Sequence, residues 1–386
     1  VTDGATVLVD FFYAQPVGHA VEALHHALAV QRADPSRRVS VLLNAATPVE
    51  LASCCPWLDR AYAVRSPFLE PAPDALAALA HVPRDWDWVL DDPRRHQPVQ
   101  RESFAGMVDH YAASDAWLRP REGRRPLGYP PPSRSRHEPL RLELPAAARA
   151  AAAGRLPGRG GPLVALLPAG SGPAAQYPSA RSWGLVLDAL REALPGLGVV
   201  LVGRRVRDER TSTGMPAADL ARLAAHPAVV ADVLDVPLLE QLAAVQRCGL
   251  LLSPHSGFGM AAMAVGTPWL TLSGGRWFEW WFDHVPFRSV VPDVRRFPAY
   301  SQFGAEATVP DGDGGERVPS MVRERVQADL HRVVAAADEL LRGAVPYERC
   351  LDDYVRDLVA AHGGDASALW SFDDVHREHL PGRLGG

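Results

Sequence analysis

Along the chain, short continuous apolar runs alternate with longer segments whose apolar positions recur at helical spacing. Residues 5–12 (ATVLVDFF), 38–43 (RVSVLL), 61–64 (AYAV) and 86–92 (WDWVLDD) read as one set of strands. Residues 163–167, 198–202, 228–231, 249–252 and 269–272 read as a second set. Helices are expected between them. One opens at Gly18 with Val21, Leu24 and Leu28 as its stripe, and others cover 48–55, 104–118, 146–153, 217–225, 238–247 and 258–265. Ser182 is expected to cap a further helix over 183–194. Strands and helices alternating at this spacing predict parallel sheets with helices on both faces.

Two such arrays are separated by a Gly/Pro-rich stretch at 154–162 (GRLPGRGGP), where the domain border is placed. The expected organisation is an N-terminal Rossmann-like domain over 1–157 and a second over 158–342. C-terminal helices over 343–386 follow, with the option of crossing back onto the first domain. Residues 119–139, dense in Arg and Pro, read as an exposed loop, and 310–316 (PDGDGGE) as a flexible one.

Composition narrows the function classes. The 386 residues carry a net charge of −5, which gives no reason to expect nucleic acid or an acidic membrane surface as partner. All 40 basic residues are Arg, and the chain has neither Lys nor Ile, the mark of GC-rich coding. Schiff-base and P-loop lysine chemistry are thereby excluded. Cys54, Cys55, Cys248 and Cys350 lack zinc-like spacing, so no metal site is expected. The first residues show no signal-peptide pattern, and no apolar run reaches membrane-spanning length. Together these features predict a cytoplasmic protein without stable membrane insertion.

Candidate chemistry lies at strand ends, where ligands sit in such sheets. The turn His255-Ser256-Gly257 joins a buried strand to a small-residue helix, and its free amides and helix dipole suit a phosphate. Read alone, it is equally an ordinary strand-to-helix turn. Ser171 and Gly172, after the first strand of the second array, are expected to approach the same phosphates. In the first array His19 follows Gly18 at a helix start, with Glu22 three positions on to fix its tautomer. That makes it a candidate general base, or simply a helix-capping histidine. His25 and His26 are expected at the surface. Trp277 and Glu279, in the aromatic run after residue 272, are candidates for an acceptor wall or for core.

Four features in order make the second half resemble glycosyltransferase family 9, the heptosyltransferase-like enzymes. They are the turn at 169–172 (AGSG), the pair Tyr177-Pro178 leading to Trp183, the strand ending in Gly203, and the helix LLEQLAAVQRC running into SPHSG and AVGTP. GHAVEAL at 18–24 occupies the place of the family's N-terminal Gly-Asp turn. The resemblance implies a GT-B fold, with two doubly wound Rossmann-like domains facing each other across a cleft. It also implies inverting, metal-independent transfer, without cofactor, from a nucleotide-diphosphate sugar to a hydroxyl acceptor.

The chain departs from the family's pattern. His19 stands where the family has Asp, and His255 replaces the Asp of its Asp-Ser/Thr-Gly turn. With the family's Lys missing, cationic help for the diphosphate falls to Arg204, Arg205, Arg181 or His255, and Glu209 is placed for ribose hydroxyls. The departures and the GC-rich composition favour a small-molecule or peptide-derived acceptor in bacterial secondary metabolism. A sugar-nucleotide epimerase of the same fold and a non-catalytic sugar-nucleotide-binding protein remain alternatives.

Overall fold

The computed structural model describes residues 4–13, 17–127, 139–158, 160–206, 212–274, 284–299 and 307–365. Glu209, Trp277, Glu279 and the expected helix beyond residue 365 lie outside them. The chain divides into two compact units between Glu143 and Leu144. Each contains one parallel sheet. Among the described residues no helix is long and apolar enough to cross a membrane.

The first unit holds β1 (Thr6–Phe11), β2 (Arg38–Asn44), β3 (Arg60–Val64), β4 (Asp85–Asp91) and β5 (Arg119–Pro126), in the order β3-β2-β1-β4-β5. Val7, Leu8, Val9 and Phe11 are all buried, because β1 is central and covered on both faces. The chain moves from β1 to β2 and β3 on one side, then returns to pair β4 on the other. The carboxyl ends of β1 and β4 therefore flank the point where the order reverses, and Asp10 and Asp91 stand in register there.

Strand β5 corrects the expected loop. Residues 119–126 pair in parallel with β4 although the strand begins with Arg-Pro and ends in Pro. An edge strand tolerates proline because its outer amides need no partner. Its charges are matched by acids that sequence spacing does not reveal: Arg121 pairs with Asp87, Arg124 with Asp91 and Asp115, and Arg125 lies 4.0 Å over the Trp88 ring. Residues 49–54, expected as an α-helix, form a 3₁₀ turn.

The second unit holds β6 (Leu163–Leu166), β7 (Gly198–Leu201), β8 (Val229–Asp232), β9 (Leu250–Pro254), β10 (Trp269–Leu272) and β11 (Phe287–Val290), ordered β11-β10-β9-β6-β7-β8. Here the order reverses between β6 and β9. Edge strand β11 was not expected; Arg288 and Ser289 break its apolar run, and Arg288 is paired with Glu339 of the helix Arg323–Leu341 and Asp353 of the helix Tyr347–Ala361. The helix Ala146–Arg155, just after the division, packs on Leu238–Gln246.

Two capping details also differ from expectation. The helix Ala180–Ala193 is capped by Ser179, whose Oγ accepts from the Ser182 amide at 2.9 Å. The 309–317 segment is a short antiparallel pair whose Asp313 carboxylate accepts from the Ser179 and Ser182 hydroxyls and from Arg323. That helix N-terminus is thus filled by an internal anion.

Candidate active site

In doubly wound sheets a ligand sits outside the carboxyl ends of the strands, in the crevice where strand order reverses. In the second unit two turns meet that description: the one after β6, containing Gly170, Ser171 and Gly172, and the one after β9, containing His255, Ser256 and Gly257. Both sides of the reversal carry residues singled out from sequence.

The β9 turn ends in a capped helix N-terminus. Pro254 ends the strand, and Ser256 swings to an extended conformation and caps the helix Gly257–Ala264, its Oγ accepting from the Gly259 amide at 3.3 Å. The cap uses that amide and leaves those of Gly257 and Phe258 at the positive end of the helix dipole. Close packing fixes the helix against the sheet. A Cβ on Gly259 would meet Trp269 ring carbons at 2.1, 2.2 and 2.5 Å, so only glycine fits. Trp269 is itself fully buried and donates to Ser253 Oγ at 2.8 Å. His255 is half-buried, its ring 6.3 Å from that of Trp269.

The β6 turn differs from expectation at one atom. The Gly172 amide donates to the Tyr177 hydroxyl at 2.9 Å, so it braces the turn and is not aimed at a ligand. Burial pushes the Tyr177 phenol up to about 12, keeping it neutral. Gly214 closes against the same turn, donating to Gly170 O at 2.6 Å, and a Cβ there would lie 2.1 Å from Gly172 O. Ser171 remains exposed.

The arginines separate. Arg205 pairs with Asp232 and, at 3.1 Å, with Asp235, tying the loop after β7 to the loop after β8. Arg204 is half-buried and held through its backbone, whose amide donates to Thr213 Oγ1 at 2.8 Å. Arg181 is exposed and donates to Asp313 O at 3.4 Å. Gln241 adds a second brace, bonding both the N–H and the C=O of Gly203.

In the first unit the reversal point lies between β1 and β4. His19, half-buried in the first turn of the helix Val17–Ala33, has Tyr13 edge-on at 5.0 Å. Its buried Nδ1 has no partner among the described residues. Burial, with the nearby Arg94 charge, holds the imidazole well below the ordinary histidine value. A neutral imidazole is the form that accepts a proton.

Glu22 does not play the role expected of it. Its carboxylate takes the Arg94 guanidinium at 3.0 Å and faces His26 at 3.9 Å, and its charge is not among the influences on His19. His25 and His26 are not surface residues. His25 is buried, and His26 lies half-buried 6.0 Å from the Phe11 ring, with burial as the main influence taking it down to about 3.

The residue that sequence reasoning missed is Arg94. It sits in the turn after β4, where Asp92 accepts from its amide and its Nε at 2.9 Å. Its guanidinium lies 4.2 Å from the Tyr13 centroid and 5.0 Å from that of Phe11. The run Asp91-Asp92-Pro93-Arg94-Arg95 at a strand end was the available signal. Two acids followed by two arginines leave β4 where the strand order turns. Behind it a second buried network joins Asp10 to His110 (2.9 Å) and Ser114 (2.6 Å), and Asp91 to Arg95 (2.6 Å) and Arg124.

No family model matches the sequence, and no curated protein matches it either. Solved structures do. The fold is similar to that of a family 9 glycosyl transferase from Veillonella parvula DSM 2008, with a TM-score of 0.58 at 13% identity, covering 89% of this chain and 99% of that one. It is also similar to the ADP-heptose LPS heptosyltransferase II of E. coli, with a TM-score of 0.50 at 13% identity, covering 86% and 99%. Identity this low establishes the fold alone. The chain has the two Rossmann-like sheets of a GT-B protein, as the sequence motifs implied.

Proposed function

We propose that this chain is an inverting glycosyltransferase that uses a nucleotide-diphosphate sugar. The observation that carries the reading is the placement of the Ser256-capped helix N-terminus beside the Gly170–Gly172 turn, at the order reversal of the second sheet. That combination is suited to a diphosphate.

In this reading the acceptor hydroxyl oxygen attacks the anomeric carbon as the bond to the diphosphate breaks. The bonding pair leaves with the diphosphate, whose charge is taken by the Gly257 and Phe258 amides rather than by a metal. The hydroxyl proton passes to the neutral His19 imidazole. Attack opposite the leaving group inverts the configuration. The setting we favour is cytoplasmic tailoring of a bacterial natural product, in keeping with the all-arginine composition.

A thermal-shift panel of ADP-, GDP-, UDP- and dTDP-sugars tests the reading. At ligand concentrations about 100 times Kd, stabilisation of about 2.7 kcal/mol is expected for the correct nucleotide, a rise of several degrees. No shift with any member would sink it.

A further inference from the structure

The short antiparallel pair at 309–317 does more than fill a helix N-terminus. It and the residues after it bond to backbone beyond the end of β6, and also beyond the end of β10, the strand that pairs with β9. Arg317 is the central side chain. Its Nη1 donates to the carbonyls of Ala174 and Tyr177 at 2.8 and 2.7 Å, and its Nε donates to Asp311 at 2.7 Å. The next amide, that of Val318, donates to Ala175 O at 2.9 Å. At the far end the fully buried Ser320 hydroxyl donates to Gly274 O at 2.7 Å.

The grip is fixed before any ligand arrives. The Asp311 carboxylate is buried, and while one oxygen takes Arg317 the other accepts from the Arg323 amide at 2.9 Å. Gly314 and Gly315 turn the chain with φ of 96° and 77°, which other residues rarely adopt. That turn delivers Asp313 to the Ser179 and Ser182 hydroxyls, so the segment is pinned at several points along its length. A guanidinium serves three acceptors here because it is a rigid, permanently charged fork.

Tyr177 carries the grip to the candidate donor site. Its carbonyl is held by Arg317, and its hydroxyl accepts from the Gly172 amide at 2.9 Å. A Cβ on Gly170 or on Gly172 would lie 2.8 Å from that hydroxyl oxygen, so the turn after β6 rests directly on the phenol. The place of the Tyr177 ring therefore sets the place of the turn.

We infer that residues 311–320 form a strap that positions the turn after β6 for a bound diphosphate, with Arg317 as the positioning residue. The word diphosphate rests on the glycosyltransferase reading, while the coupling of Arg317 to Gly172 stands on the contacts through Tyr177.

Two measurements on the full chain test it: amide exchange of Gly172 by NMR without ligand, and calorimetric titration with ADP, GDP, UDP and dTDP. In Arg317→Met the Gly172 amide is expected to exchange about tenfold faster or more, the size of a lost charge-assisted hydrogen bond, and the nucleotide that binds should bind about tenfold more weakly. Arg317→Lys, which keeps the charge without the fork, should fall between, and it carries the test if the methionine variant fails to fold. Arg288→Met cuts the ion pairs of edge strand β11 and serves as the control for lost stability. It should lower the melting temperature and leave both readouts unchanged. Unchanged Gly172 exchange in the Arg317 variants, or the same acceleration in R288M, would overturn the strap. Faster exchange with undiminished nucleotide affinity would overturn its positioning role. If the unaltered chain binds no nucleotide, the donor reading falls, and the exchange of Gly172 still decides the coupling by itself.

Discussion

Replacing His19 with alanine is expected to lower turnover by about 10²- to 10⁴-fold, the range for losing a general base, with donor affinity unchanged. The physical basis is the state of the imidazole. Its Nδ1 is buried without a partner among the described residues, and burial and the Arg94 charge both oppose protonation. The side chain is therefore neutral at neutral pH, the form a general base must start from. Donor affinity is assigned to the turns of the second unit, so the two measurements should part. Steady-state rates against acceptor, combined with calorimetric titration of the donor, would show it. Loss of donor binding in H19A, or full retention of turnover, would remove His19 from the role.

Arg94→Leu should destabilise the protein by about 3–5 kcal/mol, because it leaves the Asp92 and Glu22 carboxylates buried without their cation. The side chains concerned are no more than 7% exposed, so solvent cannot substitute. Urea unfolding measures the loss. Should the leucine variant fail to fold, Arg94→Lys keeps the charge and loses only the forked geometry, and a smaller loss is expected.

Arg94→Leu also carries a pH signature, which Arg94→Lys, keeping the charge, should lack. Arg94 disfavours the protonated form of His19, so its removal should move the acid limb of kcat/KM upward towards the ordinary histidine value of 6.5. For stability the sign is fixed by linkage. A histidine depressed in the folded state stabilises fully above its unfolded value, and that contribution is lost as pH falls below it. His19 and His26 both act this way, from about 6.5 downward. Asp91, pushed up to about 7 by burial and the Asp10 charge, acts oppositely, losing stability as pH rises towards that value. The kcat/KM limb is therefore the cleaner readout of Arg94.

The parallel strands were legible because a strand covered on both faces carries consecutive apolar residues, as 7–9 of β1, 199–201 of β7 and 250–252 of β9 do. The Ser256 turn was legible because a buried strand, a small-residue turn and a helix follow one another directly in the sequence. What escaped was set by contacts distant in sequence. Strand β5 resembled a loop until Asp87, Asp91 and Asp115 were seen to neutralise its arginines. The pairing of Arg205 with Asp232 and Asp235 joins residues about 30 positions apart, which no local pattern reveals. Glu22 sits one turn from His19, yet its stronger partner, Arg94, comes from another strand's end. Charged side chains choose partners by proximity in the fold, and helical spacing constrains that choice only weakly.

The central claim is that the order reversal of the second sheet holds a diphosphate. Amide hydrogen exchange of the full chain, with and without millimolar ADP or UDP, tests it most directly. Slower exchange is predicted at Gly257 and Phe258, and around Gly170 and Ser171, for the nucleotide that binds. Binding that leaves those amides unprotected, or protects only amides elsewhere, would contradict the account.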